Sequence, residues 1–432
     1  MTNAIAPHGR VLLATLGCKV AQYETEALRE LFLADGWCEV DADADVAVVN
    51  TCTVTAESDR KCRQTVRRIH RENPRARILL IGCYAQSHPE EAAALPGVVF
   101  VGGTAEKRRV LAVANGEPTA AVAVLPLSDA GYEPLSVSGA PRTRAYVKIA
   151  DGCDCRCTYC AIPDARGPVR SRPREEILAE ITRLVEGGTR EVVLTGIETA
   201  SYGRDLKNGY RLIDLLEEVD HLPIDRVRLG SLTPEWLRGD TVPRLAGLSH
   251  LAPHLHLSIQ SGSSPVLARM RRRYNADQAM EGIRALRATI PDLMLTCDMI
   301  VGFPGETEAC FAETMTFAEE ANFLSMHVFA FSPREGTPAA NFTDTVPEAE
   351  KSARSAALTA LAHRMTEGIL RDELARGRRL SILTETQQGG GVFGHTASFL
   401  PVLIRGCCAV GEILTATPKE IRNGMLIADR CN

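Results

Sequence analysis

Three apolar, β-branched-rich runs stand out in the first hundred positions: Val11 to Leu16, Asp45 to Asn50 and Ala76 to Ile81. Unbroken apolar runs of this length predict parallel strands covered on both faces. Between them the apolar positions recur at the spacing of an amphipathic helix, as in Tyr23 to Leu33 and Ser58 to His70. The alternation predicts an open parallel α/β domain over residues 8-123. From Val124 to Arg144 the periodicity lapses into Pro126, Ser128, Gly131, Pro134, Ser136, Ser138, Gly139 and Pro141, which predicts a linker over 124-143.

Strand-like runs then return at Arg144 to Ala150, Arg190 to Thr195, Arg226 to Leu229, His254 to Ile259, Leu293 to Ile300 and Ser325 to Ala330. Helical patterns such as Glu175 to Glu186 and Glu306 to Ala321 fill the gaps. Six β/α units predict a partial (β/α)6 barrel over 144-368, with its active face at the carboxyl ends of the strands. A charged helix, Glu348 to Arg376, leads into short strand-like runs at Leu380 to Thr384, Phe399 to Ile404, Gly411 to Thr415 and Met425 to Ala428. These predict a small all-β barrel over 369-432, with Gln387-Gln388-Gly389-Gly390-Gly391 as a flexible stretch within it.

Chemistry enters through sulfur. Each of the three N-terminal runs is followed after two residues by a cysteine, Cys18, Cys52 and Cys83. Ligands of open α/β sheets gather at the carboxyl ends of the strands, so these three thiols should converge. A denser group, Cys153, Cys155, Cys157 and Cys160, packs four thiols into eight positions after the first barrel strand. Thiolates select zinc, copper(I) or iron-sulfur clusters, and a loop so short cannot satisfy disulfide geometry with its own neighbours. Four ligands would make a closed structural centre; three would leave one metal position open for chemistry.

The chain has 432 residues, 45% hydrophobic and 24% charged, enough for two to four domains. No apolar run reaches the roughly 20 residues that span a bilayer, and Met1 to Arg10 lacks a signal-peptide pattern, so no membrane association is expected and the cytoplasm is the default. Fourteen cysteines in a reducing compartment speak for metal or redox chemistry. The net charge of -5 requires any nucleic-acid contact to use local patches. Three are candidates for phosphate tracking: the arginines and lysine from Arg60 to Arg77, then Arg166, Arg170, Arg172 and Arg174, then Arg269, Arg271, Arg272 and Arg273.

Cys153-x3-Cys157-x2-Cys160, with Tyr159 before the last cysteine, resembles the signature of radical S-adenosylmethionine enzymes. Thr15-Leu16-Gly17-Cys18-Lys19-Val20, Val49-Asn50-Thr51-Cys52-Thr53-Val54-Thr55 and Ile81-Gly82-Cys83-Tyr84-Ala85-Gln86 narrow the resemblance to the methylthiotransferases. It extends over nearly the whole chain, through His256 to Gly262 and Ile300 to Thr307 to a C-terminal barrel like the RNA-binding TRAM domain. The words Gln22-Tyr23-Glu24-Thr25-Glu26 and Ala165 to Arg172 look most like the branch acting on threonylcarbamoyladenosine in tRNA.

This resemblance implies two 4Fe-4S clusters. One is held by Cys153, Cys157 and Cys160, which count as catalytic because that cluster donates the electron that cleaves S-adenosyl-L-methionine; the other is held by Cys18, Cys52 and Cys83. It implies cofactor contacts at Tyr159, Gly196, Ser258, Gln260, Ile300 and Gly302. The expected partners are the tRNA anticodon loop and an electron donor protein such as a flavodoxin or ferredoxin. Alternatives are methylthiolation of isopentenyladenosine or of a ribosomal protein aspartate and, outside enzymes, a zinc-stabilised RNA-binding protein or an iron-sulfur carrier. Two positions depart from the family pattern: Ala21 stands where asparagine is usual, and Cys155 is an additional thiol, read as a bystander. His254 and His256 read as core or pleat residues, and Cys38, Cys62, Cys297, Cys310, Cys407, Cys408 and Cys431 as ordinary thiols.

Overall fold

The first sheet is parallel throughout, and its inner strands are covered on both faces, as parallel sheets require: Val46–Thr51 is buried at all six positions and Arg77–Gly82 at five of six. In the computed structural model, which describes residues 8–128, 130–139 and 143–431, this sheet has six strands. They are β1 (Arg10–Thr15), β2 (Cys38–Glu39), β3 (Val46–Thr51), β4 (Arg77–Gly82), β5 (Val98–Gly102) and β6 (Val122–Ala123), in the order β2-β1-β3-β4-β5-β6. The expected strands β1, β3 and β4 are adjacent, the second to fourth of the six. The two-residue strands β2 and β6 are too short to carry a period, and β5 merges with an apolar stretch that begins near Ala92. Helices Lys19–Ala34 and Ala56–Glu72 cover the sheet, the second capped by Thr55, whose hydroxyl accepts from the Ser58 N–H at 3.1 Å.

The described part of the expected linker forms no helix or strand after β6, yet it is seated rather than free. Leu127, Leu135 and Val137 are buried, and the Tyr23 hydroxyl donates to the Leu135 carbonyl at 2.6 Å. Pro141 and the first seven residues lie outside the described residues.

The second unit begins with β7 (Arg144–Lys148) and a short antiparallel pair, β8 (Ala150–Asp151) with β9 (Arg170–Ser171). Five more strands follow: β10 (Glu191–Thr195), β11 (Arg226–Leu229), β12 (His254–Gln260), β13 (Met294–Val301) and β14 (Ser325–Ala330). They form two parallel sheets, β7-β10-β11 and β12-β13-β14, linked by the bridges Val227–Leu251 and Leu232–Leu257. Six parallel strands thus form the open arc that the sequence predicts, with Leu194, Leu229, Leu255 and Leu295 in one continuous core.

Helix Glu348–Arg376 runs unbroken across the expected boundary at 368/369 and ends at Gly377 in the left-handed region. The last strands, β15 (Leu380–Gln388), β16 (Gly391–Thr396), β17 (Pro401–Arg405), β18 (Ile413–Arg422) and β19 (Met425–Arg430), close a barrel in the order β15-β16-β17-β19-β18. The stretch expected to be flexible is a hairpin: Gln387 pairs with Val392 and Gln388 with Gly391 around the turn Gly389-Gly390. Its second strand was masked by glycine. At Gly394 a side chain would collide with the Leu383 carbonyl, so glycine there marks close strand packing rather than freedom. Arg144 pairs with Glu385 at 2.6 Å, Arg228 donates to the Thr396 carbonyl at 2.8 Å, and Phe399 stacks between His254 and His395, fixing the small barrel against the arc.

Candidate active site at the strand ends

Three strand ends deliver the first thiol group. Cys52 follows β3 directly, Cys83 opens a helix after β4, and Cys18 precedes helix Lys19–Ala34. All three line one cavity of about 560 Å³. Gly17, at φ +126°, permits the approach; a Cβ there would lie 2.9 Å from that of Cys52. Burial raises the Cys52 thiol above its ordinary range and pushes Cys83 up to about 11. Cys62 is no distant bystander: the Cys52 N–H donates to its sulfur at 3.4 Å.

A fully buried ion network stands behind Cys83. Arg166 donates from Nε to the Cys83 sulfur at 3.0 Å and from Nη1 to Glu24 at 2.6 Å. Lys148 reaches Glu24 at 2.9 Å and Asp151 at 2.5 Å, and Lys107 lies 3.2 Å from Glu24. Burial opposes ionisation of Glu24, but Arg166, Lys107 and Lys148 overcome it and hold the carboxyl well below the usual range. Arg166, Lys148, Lys107 and Arg170 outnumber Glu24, Asp151 and Glu133 by one cation, and Arg166 aims at the thiol. That surplus fits an anionic thiolate donor set of the kind an iron-sulfur cluster requires. Ala21 contributes through its carbonyl, which accepts from Asn50 Nδ2 at 3.2 Å; the Asn50 Oδ1 is buried without a partner.

The second group comes from one loop. Cys153, Cys155, Cys157 and Cys160 line a cavity of about 270 Å³ together with Tyr159, Ser258, Gln260 and Ile300. Burial pushes Cys160 up to about 12. Cys155 is instead held down at about 6, first by a hydrogen bond from Cys153 and then by Arg273, Arg204 and Arg272. Arg272 also donates to the Cys157 sulfur at 3.3 Å, so this thiol set, like the first, has a guanidinium beside it, here half-buried. Gln260 adopts φ +69° at a bulge in β12, a strained conformation for a non-glycine residue that marks the cavity wall.

Two of the residues expected to contact cofactor lie elsewhere. Gly196 lines the Cys18 cavity. Gly302 lines neither cavity: it turns at φ +69° beneath the long helix, where a side chain would strike Lys351, and its N–H donates to Glu306 at 2.8 Å. Sequence reasoning missed several wall residues, among them Glu198, which burial pushes up to about 7, and Arg334, which binds Asp59 at 2.6 Å and Thr53 at 2.8 Å across the domain junction. Glu198 lies three residues past the end of the strand expected at Arg190 to Thr195 and two past Gly196, so its place at a strand end is a signal in the sequence.

Val54, Ile162, Ile197, Asp298 and Phe329 line both cavities, so the two thiol groups face a shared space. Val54 and Phe329 are large apolar residues left 54% and 43% exposed at that junction. The two histidines divide: His254 is a core residue kept neutral by burial, whereas His256 reaches the cavity, its Nε2 3.1 Å from Asp298.

The basic patches need correction. Arg166, Arg170 and Arg172 are buried and paired with carboxylates, so they cannot track phosphates; Arg272 faces the second cavity. In the first patch Arg60 is neutralised by Glu57 and Arg77 donates to the Val113 and Ala114 carbonyls, while Arg67, Arg68, Arg71 and Arg75 stay exposed. No helix among the described residues is long and apolar enough to cross a membrane.

Residues 147–318 match the Radical SAM superfamily, and residues 10–103 match Uncharacterized protein family UPF0004. The chain is 39% identical to the threonylcarbamoyladenosine tRNA methylthiotransferase MtaB of Bacillus subtilis, over 92% of this chain and 90% of that one. It is 41% identical to the MtaB of Thermotoga maritima over 80% of each, and 33% identical to a tRNA-2-methylthio-N(6)-dimethylallyladenosine synthase of Oceanobacillus iheyensis, over 97% of this chain and 85% of that one. Among solved structures, the radical S-adenosylmethionine methyltransferase TsrM of Kitasatospora setae shares the fold, with a TM-score of 0.57 at 17% identity over 78% of this chain and 77% of that one. The thiol spacing, the parallel arc and these relatives agree: the chain belongs to the radical S-adenosylmethionine methylthiotransferases, in the MtaB branch.

Proposed function

We propose that the chain transfers a methylthio group to C2 of N6-threonylcarbamoyladenosine next to the anticodon of tRNA. The observation that carries this reading is the pair of three-thiol groups lining adjoining cavities with five wall residues in common. Two 4Fe-4S clusters, held by Cys153, Cys157 and Cys160 and by Cys18, Cys52 and Cys83, would supply the reductive cleavage of S-adenosyl-L-methionine and the sulfur to be transferred, chemistry that a C–H bond without useful acidity requires.

The chain's own residues hold and orient. Cys153, Cys157 and Cys160 are assigned to the radical site, with Tyr159, Ser258, Gln260 and Ile300 on its wall and Arg272 balancing thiolate charge. Cys18, Cys52 and Cys83 are assigned to the sulfur site, with Arg166 in the corresponding place. Residues 8-123 thus carry the sulfur site, 144-368 the radical site, and the barrel over 369-432, in a TRAM-like role, engages RNA with the exposed arginines of helix Ala56–Glu72. Val54 and Phe329 offer an apolar wall to a base splayed out of a single-stranded loop. A cytoplasmic setting and a flavodoxin or ferredoxin as electron donor belong to the same reading.

Anaerobic reconstitution should give about eight irons per chain and reductant-dependent cleavage of the cofactor. Stoichiometric zinc without iron would rule the enzyme out. Mass spectrometry of nucleosides from a deletion strain should show the methylthio group missing from threonylcarbamoyladenosine; loss from isopentenyladenosine instead would assign the chain to the other tRNA substrate.

A further inference from the structure

Lys19, His256, Asp298 and His327 gather on the cavity that also holds Cys18, Cys52 and Cys83. None of them takes part in holding the thiols. Lys19 is exposed to this space and, among the described residues, makes no ion pair, in contrast to Lys107 and Lys148, each of which meets Glu24. His327, at 63% side-chain exposure, has Nδ1 3.1 Å from Asp298 Oδ1. A carboxylate can only accept, so Nδ1 carries the proton and Nε2 is the nitrogen left for a ligand.

Asp298 is fully engaged. Its Oδ2 lies 3.1 Å from His256 Nε2, and His256 Nδ1 lies 2.8 Å from the Thr296 hydroxyl, which is 3.1 Å from His254 Nε2. A chain of hydrogen bonds from the buried strand β12 thus fixes the carboxylate that orients His327. The hydrogen bond to Asp298 also raises the His327 pKa above its ordinary value, against burial and the charge of Lys19.

We propose that Lys19 and His327 form a carboxylate-binding subsite for the threonylcarbamoyl arm of the substrate, with Asp298 as the residue that positions His327. This deepens the function proposed above and rests on it. The chemistry is complementary: the threonylcarbamoyl arm ends in a carboxylate beside a hydroxyl, whereas an isopentenyl arm is wholly apolar. C2 and the N6 substituent flank the same edge of adenine, separated by N1, so the arm must be housed next to the reacting carbon. Asp298 and the apolar Phe329 line both cavities, which puts the subsite at the junction where that edge is needed. A divalent cation fits less well. His256, Asp298 and His327 do present three donor atoms within 4.8 Å, but both carboxylate oxygens are already engaged by imidazoles and Lys19 adds positive charge to the same wall.

The test uses the full chain and two anticodon stem-loops, one carrying threonylcarbamoyladenosine and one carrying the same arm with its carboxylate converted to the primary amide. Wild-type protein should bind the acid about tenfold or more tightly than the amide, the range of a charge-assisted contact, and should show the same preference in methylthiolation. Lys19→Met and His327→Gln should each reduce the acid-to-amide ratio several-fold with little change in amide binding, and Lys19→Arg should restore most of it. A merely structural role would lower both affinities together and leave their ratio alone. Wild-type discrimination that both variants retain, no wild-type discrimination at all, or a stoichiometric divalent cation lost on His327→Gln would overturn the subsite while leaving the proposed function intact. Methylthiolation of an isopentenyladenosine stem-loop but not of the acid would overturn the function and the subsite with it.

Discussion

Cys153, Cys157 and Cys160 descend from one loop, so their mutual placement depends on a few consecutive backbone torsions; Cys18, Cys52 and Cys83 descend from the ends of β1, β3 and β4 and meet only if the whole sheet has the right order and register. The first group is a local property and the second a property of the tertiary fold. Their surroundings differ accordingly. One guanidinium, Arg272, meets the local group, whereas the dispersed group is backed by a buried network that ties residues 24, 107, 148, 151 and 166 across two domains. A local site should therefore tolerate perturbation of the domain junction, and a dispersed site should register it.

The largest effects break the comparison into two chemistries. Cys157→Ala should abolish deoxyadenosine formation from S-adenosylmethionine, whereas Cys83→Ala should retain it and abolish methylthio transfer, both read by mass spectrometry of the reaction products. Equal loss of both products in both variants would mean that the two thiol groups do not work separately.

Next in size is Arg166→Met, which leaves Glu24 and Asp151 short of a buried cation and Cys83 without its donor. Removing one partner from a buried ionic network costs about 3–5 kcal/mol, to be read by denaturant unfolding. Iron content should fall toward half, with the remaining iron on the local group. The network also predicts an acid response. Glu24 and Asp151 are ionised in the fold below their ordinary range, so the stability they contribute is complete near neutrality and is lost as pH falls below about 4. Arg166→Met should flatten that dependence, because the cation that most strongly lowers Glu24 is gone.

The same local-versus-tertiary division explains what could be read from the chain alone. Strands at Arg226–Leu229 and Ser325–Ala330 and the helix Glu348–Arg376 are legible to the residue because period and punctuation are local. The convergence of Cys18, Cys52 and Cys83 was legible only because strand ends repeat the same offset. Arg166, Arg170 and Arg172 read as a surface from the chain alone because sequence displays charge but not burial, and their carboxylate partners lie as far away as Glu24. Gly302 shared a strand end with real wall residues, yet helix Glu348–Arg376 covers it, and nothing near it in sequence announces that contact.

A smaller effect is expected from Arg334→Met, which opens the contact to Asp59 and Thr53 beside Cys52. Deoxyadenosine formation should hold near the wild-type rate while methylthio product per deoxyadenosine falls a few-fold, because the perturbation reaches the dispersed group through the segment Thr53 to Asp59, which leads into helix Ala56–Glu72, and leaves the cysteine loop intact. A fall in cofactor cleavage alone would contradict the division between local and tertiary sites.

The smallest effect should come from the residue that most complicates the local group. Cys155 shares the cavity with the three assigned ligands, and its thiol is held at about 6, so it has the character of a competent ligand. Apart from the hydrogen bond its sulfur takes from the Cys153 thiol, its contribution to the loop runs through the backbone: its N–H donates to the Cys153 sulfur at 3.4 Å and its carbonyl accepts from the Cys157 N–H at 2.5 Å. Alanine keeps both groups. Cys155→Ala should therefore retain both clusters by iron analysis and electron paramagnetic resonance, with cofactor cleavage within about twofold of wild type, well inside the cost of one lost hydrogen bond. Loss of about four irons in Cys155→Ala, together with their retention in Cys153→Ala, would exchange the two cysteines as ligands and show that even a site written in eight consecutive residues takes its ligand set from how the loop folds.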